Sequence, residues 1–269
     1  MNWVLEMLSY SFMQRALVAG VMISICAALA GVSLVLRRNS MIGDGLSHAA
    51  FGAFAVATVL HLAPVWFAMP VVIVASFFVL RLSSSKKGNG DAAIALLSAS
   101  SLAIGVMAIS LSQGVNIDLN SYLFGSVLSI GWGEVWLSVA LAVAVVVLYV
   151  FSHNRILAVT FDEDFAKAIG VKTGVYDAIF AVICSVVVVL GMRLLGALLI
   201  SSLVIFPTLI ARQFSKSFGR VVVNAVLVSV VNFVLGLSIS YLVAAPTGAT
   251  VVIVNLVVLI VVKALSRMI

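Results

Sequence analysis

Two residue types that can ligate a metal ion stand four apart in Ile42-Gly43-Asp44-Gly45-Leu46-Ser47-His48-Ala49-Ala50. On a helix, residues four apart share one face, so the Asp44 carboxylate and the His48 imidazole can converge on one point. Both groups are good ligands for zinc, and they serve manganese or iron with little inherent discrimination. Counted from a helix start near Arg38, Asp44 lies about 9 Å and His48 about 15 Å along the axis. In an apolar chain that depth is inside hydrocarbon, where an ionised carboxylate needs a polar cavity or a partner. A divalent cation would be such a partner. A local reading competes: Asp44 caps or hydrogen-bonds near a helix start, and His48 is a satisfied core histidine. Two ligands also fall short of the four in a closed structural zinc site. That suits a carrier, which must release its ion, and a homodimer could bring two such pairs to a shared axis. His61 lies thirteen residues beyond His48, about 20 Å further and well round the helix, so it reads as an interfacial histidine.

The elements that position this pair follow from composition. Of 269 residues, 64% are hydrophobic and 9% charged, against about 45–50% and about 25% in soluble domains. The fold expected is all-α, a polytopic membrane helical bundle of one domain spanning residues 1–269. About nine spans, near the length that crosses a bilayer, are expected at roughly 12–36, 40–61, 64–81, 92–112, 133–151, 174–192, 194–211, 221–243 and 247–263. The apolar segment Tyr122–Ile130 is too short to cross and reads as a half-helix or re-entrant turn. Threading the spans alternately puts all of the 15 Lys and Arg residues except Arg15 and Arg193 on one side. The positive-inside rule makes that side the cytoplasm, with the C-terminus inside and the N-terminus outside. The regularity supports an odd number of spans.

The net charge of +6 marks topology rather than nucleic-acid binding, because no polar face gathers the basic residues. The first ten residues lack a basic segment and a cleavage pattern, so no cleaved signal peptide is expected. Cys26 and Cys184 sit singly in apolar stretches and read as buried small hydrophobes. Ser83–Gly90 reads as a polar turn. Ala27 and Gly31 are one helical turn apart, and such small residues let helices approach closely in lipid.

The longest loop, Ser152–Thr173, carries Thr160-Phe161-Asp162-Glu163-Asp164-Phe165-Ala166-Lys167-Ala168-Ile169-Gly170. Thr160 with Glu163 is a capping-box pattern, the acids suit a helix start and Gly170 suits a C-terminal cap. A short helix is expected, with Phe161, Phe165 and Ile169 as an apolar stripe. That stripe packs either on the protein's own spans or into a groove on a cytoplasmic partner. The chain has no G-x-x-x-x-G-K-[ST] loop, so any ATP it uses must be bound by another polypeptide.

Four ordered blocks carry a resemblance. They are Gly43-Asp44-x-x-Ser47-His48-Ala49, Asp118-Leu119-x-x-Tyr122-Leu123-Phe124-Gly125, Asp164-x-Ala166-x-x-x-Gly170-Val171, and Gly196-Ala197-Leu198-Leu199 through Pro207-x-x-x-Ala211-Arg212. Together they resemble the zinc/manganese/iron class of ATP-binding-cassette permeases. The resemblance implies a permease homodimer in the bacterial cell membrane and two copies of a cytoplasmic ATP-binding subunit docked around Asp162–Gly170. It also implies an extracytoplasmic metal-binding protein and metal coordination by Asp44 and His48, with no permanently bound cofactor. Met41–His48 and Tyr122–Gly125 look closer to the zinc members, leaving manganese and iron as alternatives. Gly196, Ser201, Ser202 and Pro207 read first as structural, with Pro207 kinking its span and a serine hydroxyl or water meeting the freed carbonyl, and a gating role as the alternative. Asn224, Asn232 and Asn255 read as interhelical hydrogen-bonders.

Two rival classes fare worse. An ion-coupled secondary transporter would be expected to show inverted repeats and more intramembrane acids, and neither is evident. An intramembrane metalloprotease needs a set such as H-E-x-x-H, and the three histidines at 48, 61 and 153 are scattered. No enzymatic activity is expected of this chain itself.

Overall fold

A computed structural model describes residues 2–83, 90–112, 125 and 130–266. Every regular element among them is a helix. Helix α1 (Asn2–Ser9) leads into α2 (Ser11–Leu36), followed by α3 (Met41–Val59), α4 (Pro64–Ser83) and α5 (Gly90–Leu111). After the undescribed stretch come α6 (Trp132–Phe151), the loop helices α7 (His153–Phe161) and α8 (Glu163–Ala168), and α9 (Thr173–Leu195). The chain closes with α10 (Ala197–Ala211), α11 (Phe218–Val243) and α12 (Thr247–Leu265). Eight of these, α2 to α6, α9, α11 and α12, are long and apolar enough to cross a bilayer. The all-α bundle expected from the sequence is the one observed.

The span expected over 194–211 differs in its boundaries. Helix α9 continues to Leu195 and the chain breaks at Gly196 (φ 90°), leaving α10 only 15 residues, about 22 Å, long. Gly125 (φ 78°) abuts that break so closely that a Cβ on it would overlap the Leu195 carbonyl. Both positions therefore require glycine. Most of the expected re-entrant segment 122–130 lies outside the described residues, as do 84–89 of the polar turn and the second block apart from Gly125.

Helices α2, α3 and α9 form the interior, with 78, 72 and 67% of their spanning windows enclosed, whereas α5 and α12 are enclosed over only 11 and 17%. Small residues allow the central helices to touch. A Cβ on Gly31 would overlap the backbone carbonyl of Val204 on α10, and one on Gly52 would meet that of Ser101 on α5. The Asn232 amide donates to Asn255 Oδ1 at 2.8 Å between α11 and α12, as expected, but Asn224 reaches Ser215 in the preceding turn instead.

The two ends of the bundle differ in chemistry. At the basic end Arg37, just past α2, meets Asp177 of α9 at 2.8 Å and lies over the Phe180 ring at 5.4 Å. Arg81 and Asp177 line one cleft, and Arg37, Arg38 and Glu163 line another. At the opposite end Arg193 pairs with Glu134 at 2.6 Å, and the same carboxylate accepts the Gly131 N–H at 3.0 Å. That partner explains one of the two basic exceptions to the topology pattern. His61 (φ 55°) ends α3, where its N–H reaches the Thr58 carbonyl and the Leu62 N–H the Ala57 carbonyl, a backbone role.

The glycine contacts are testable. Gly31→Val pushes against main chain that no rotamer change can relieve, so it should destabilise the detergent-purified protein by about 1–3 kcal/mol. Gly133→Val, with nothing within 4 Å of its added Cβ, is the control. Equal melting temperatures for the two variants would show that the α2–α10 approach is not tight.

Candidate metal site and loop surface

Asp44 and His48 do share a face of α3. Asp44 Oδ2 lies 3.7 Å from His48 Nε2, longer than a hydrogen bond. It is a fitting separation for two ligands of one ion, since ligands about 2.1 Å from a tetrahedral centre sit about 3.4 Å apart. Oδ1 of Asp44 accepts from the Ser201 hydroxyl of α10 at 3.2 Å, and Ser47 Oγ stands 3.2 Å from the same hydroxyl. Ser47 donates to the Asp44 backbone carbonyl at 2.7 Å.

The depth estimate needs correcting in its origin. Helix α3 begins at Met41, because Arg38 (φ 61°) and Asn39 close α2 with the Asn39 N–H on the Leu34 carbonyl. Asp44 is thus in the first turn of α3, about 5 Å from its start. Its level is set relative to α10, where Ser201 lies ten residues, about 15 Å, from the Ala211 end. Gly43 packing on Val204 brings the first turn of α3 to that level.

His48 is not a satisfied core histidine. Its Nδ1 is buried and has no hydrogen-bond partner among the described residues. The Asp44 side chain is 52% and that of His48 27% exposed, so one flank of the pair is open. No group of three or more His, Cys, Asp or Glu that could hold a metal exists among the described residues. Among the described residues the pair therefore has no third partner of these types.

Ser201 is a component that sequence reading assigned to structure. Neither serine serves the carbonyl freed by Pro207 as expected. Ser201 Oγ bonds the Ala197 carbonyl at 3.1 Å and Asp44, and Ser202 Oγ is buried with no partner among the described residues. Two adjacent hydroxyls in an apolar helix were the only signal.

The loop helix forms, with a different start. Thr160 and Phe161 end α7 rather than opening α8, and the expected capping box is absent: Thr160 Oγ1 is buried without a partner among the described residues. Asp162 caps α8 instead, accepting the Phe165 N–H at 2.9 Å, because its extended backbone aims the short carboxylate at the first turn. Gly170 (φ 84°) closes α8 as expected. Its N–H bonds the Lys167 carbonyl and the Val171 N–H bonds that of Ala166. Glu163 and Lys167 pair at 2.7 Å across one turn, and this hydrogen bond raises the Lys167 ammonium above its ordinary pKa. Asp164 joins Glu163 in the acidic first turn, and Ala166 is buried. Phe161, Phe165 and Ile169 are 63, 56 and 55% exposed. The three do not form the single-helix stripe expected: Phe161 closes α7 and its ring meets Phe218 of α11 edge-on at 6.0 Å, while Phe165 and Ile169 at α8 face outward.

Residues 9–266 match the ABC 3 transport family. The chain belongs to that family. Within the ABC 3 transport family it resembles a Treponema pallidum protein named "Probable metal transport system membrane protein", 30% identical over 262 residues, covering 97% of this chain and 98% of that one. It is 27% identical to the manganese import system permease protein ScaB of Streptococcus gordonii, over 90% of this chain and 87% of the other. The solved structure of PsaBC from Streptococcus pneumoniae in complex with Fab contains a chain with TM-score 0.85 at 25% identity, covering 97% of this chain and 94% of that chain. Our chain is accordingly a multi-pass permease of an ABC transport system.

The cap on α8 yields a local prediction. Asp162→Ala removes one accepted N–H and should cost the helix about 1 kcal/mol, or roughly a fivefold rise in hydrogen exchange at the Phe165 amide. Unchanged exchange there would mean that the carboxylate does not hold the loop helix.

Proposed function

We propose that this chain is the membrane permease subunit of an ATP-binding-cassette importer that carries a divalent metal ion across the bacterial cell membrane. The observation that carries the reading is the Asp44–His48 pair. Two ligand groups stand 3.7 Å apart on α3, and the buried imidazole Nδ1 has no hydrogen-bond partner among the described residues, in a chain of the ABC 3 transport family. Intramembrane acids are costly and mark ion paths. Zinc is favoured by the look of the Met41–His48 block. Manganese is the second reading, supported by the name of the ScaB relative and by the oxygen-rich surroundings of Asp44.

The open flank of the pair supports a homodimer. A half-exposed carboxylate cannot face acyl chains, so a second copy is the natural cover, and the bare outer face of α5 beside α3 is where it would approach. The basic end is cytoplasmic by charge bias, which puts the C-terminus inside. There the exposed Phe161, Phe165 and Ile169 present apolar side chains to one of two ATP-binding subunits. An extracytoplasmic metal-binding protein would deliver the ion to the opposite end.

The same geometry suggests how force reaches the ion. Val159–Phe161 and Glu163 share a cleft with Leu36–Asn39, and Arg37 is tied to Asp177 on α9. A push on α8 therefore reaches the α2–α3 turn, from which Asp44 hangs by a few residues. Rocking of the α2–α3 pair against α10 would then change the shell around the metal and alternate its access.

Uptake into vesicles containing the assembled transporter tests this. Asp44→Asn and His48→Ala should each cut metal uptake by roughly tenfold or more with assembly intact. Normal uptake by both variants refutes the site. Phe165→Glu should release the ATP-binding subunit on purification, and ATP-independent uptake that collapses with the proton gradient would favour a secondary transporter.

A further inference from the structure

Ser201 has one proton and three acceptors within reach. They are the Ala197 carbonyl at 3.1 Å, Asp44 Oδ1 at 3.2 Å and Ser47 Oγ at 3.2 Å. Ser47 has its own proton committed to the Asp44 backbone carbonyl at 2.7 Å, so towards Ser201 it can only accept. All three Ser201 contacts are long for O–H···O bonds, whose usual length is about 2.7–2.8 Å. No single bond locks this hydroxyl.

Its position also matches an ion's shell. The separation from Asp44 Oδ1 is 3.2 Å, and that between Asp44 Oδ2 and His48 Nε2 is 3.7 Å. Donors about 2.0–2.2 Å from one metal, at angles between tetrahedral and octahedral, stand about 2.9–3.6 Å apart. An ion held by this carboxylate would thus have the hydroxyl beside one of its oxygens and the imidazole beside the other.

We propose that Ser201 is a specificity-determining residue of the metal path, an oxygen donor supplied by α10 that biases the site towards hard cations. The inference rests on the Asp44–His48 reading above and extends it. With no ion present, Ser201 donates to Asp44 Oδ1. When a cation arrives, the hydroxyl keeps its proton, turns it to the Ala197 carbonyl and offers a lone pair to the metal. Neutral oxygen donors suit manganese-class ions, and removing one from a mixed oxygen and nitrogen shell penalises those ions more than zinc, which is content with fewer ligands.

Its location makes the donor a sensor of helix position. Ser201 sits about one turn beyond the Gly196 break, on a helix that touches both α2 and α3 through Val204. A displacement of α10 against α3 removes one ligand and leaves two. The ion is thereby loosened without any loss of the Asp44–His48 pair.

The test is uptake of manganese and of zinc, each alone and in competition, by vesicles carrying the assembled transporter. Ser201→Ala should lower kcat/KM for manganese about tenfold more than for zinc, mainly through KM, as expected for one lost shell contact. Ser201→Thr, which restores the hydroxyl, should return the manganese-to-zinc ratio to near that of the wild type. Ser201→Cys, which substitutes a soft donor, should shift preference further towards zinc. Equal losses for both metals in Ser201→Ala, or a ratio that Ser201→Thr fails to restore, would overturn the proposal by showing a packing role. Asp44→Asn separates the two readings: normal transport of both metals by that variant sinks the site itself, whereas its failure alongside an unchanged ratio in Ser201→Ala sinks only the role of Ser201.

Discussion

A carboxylate on an apolar helix needs polar company, and the contacts around Asp44 are arranged around that constraint. Hydrocarbon offers Asp44 neither water nor counter-ion, so the chain must supply hydrogen-bond donors or leave room for a cation. It does some of each. The Ser201 hydroxyl meets Oδ1, and the second oxygen is left 3.7 Å from an imidazole with no hydrogen-bonding obligation elsewhere among the described residues. A fully satisfied network would have held Asp44 firmly and left an ion little reason to bind. Partial satisfaction leaves that oxygen free to meet a further partner.

Holding those groups together requires helices that nearly touch. In lipid no hydrophobic drive gathers helices, and close contact depends on small residues. Gly43 and Gly31 both face Val204, so α2 and α3 pack on the same point of α10. Gly52 brings α3 onto the Ser101 backbone of α5. Helix α3 is thus held close to α10 and α5, while the Asp44 side chain stays half exposed. The glycines act through main-chain proximity alone, yet they fix the separation of the polar groups.

What could be read from the sequence divides along the same line. Local chemistry was legible: the Asp44–His48 spacing, the glycine end of α8 and the outward Phe165 and Ile169 follow from helical periodicity and capping, whereas Phe161 belongs to the preceding helix. So was the membrane bundle, because blocks of apolar residues with basic ends have few alternatives. Contacts between distant segments were not legible. Nothing local tells that Ser201, 157 positions from Asp44, shares its hydrogen bond, and Ser201 reads as one more small residue in a span. The capping error at Thr160 has a related cause. Thr160 and Asp162 can both cap a helix, and the choice was made by α7 running on through Phe161, which buries Thr160 against neighbours. Tertiary packing overrode an otherwise sound local signal.

The break at Gly196 shows how the short helix contributes to both stability and movement. Had α9 and α10 been joined by an ordinary loop, α10 could slide along its axis. Instead Gly125 packs against Leu195 and Gly196, while Arg193 in the last turn of α9 is clamped to Glu134 at the start of α6. One end of α10 is therefore fixed to the bundle. The other end runs through Pro207, which removes one helical hydrogen bond, to Arg212 just past the helix. A helix fixed at one end and weakened part-way along pivots more readily than it translates. Ser201 lies between the fixed end and the proline, so a pivot moves its hydroxyl by less than it moves Ala211. Small changes beside Asp44 can then accompany large ones at the basic end.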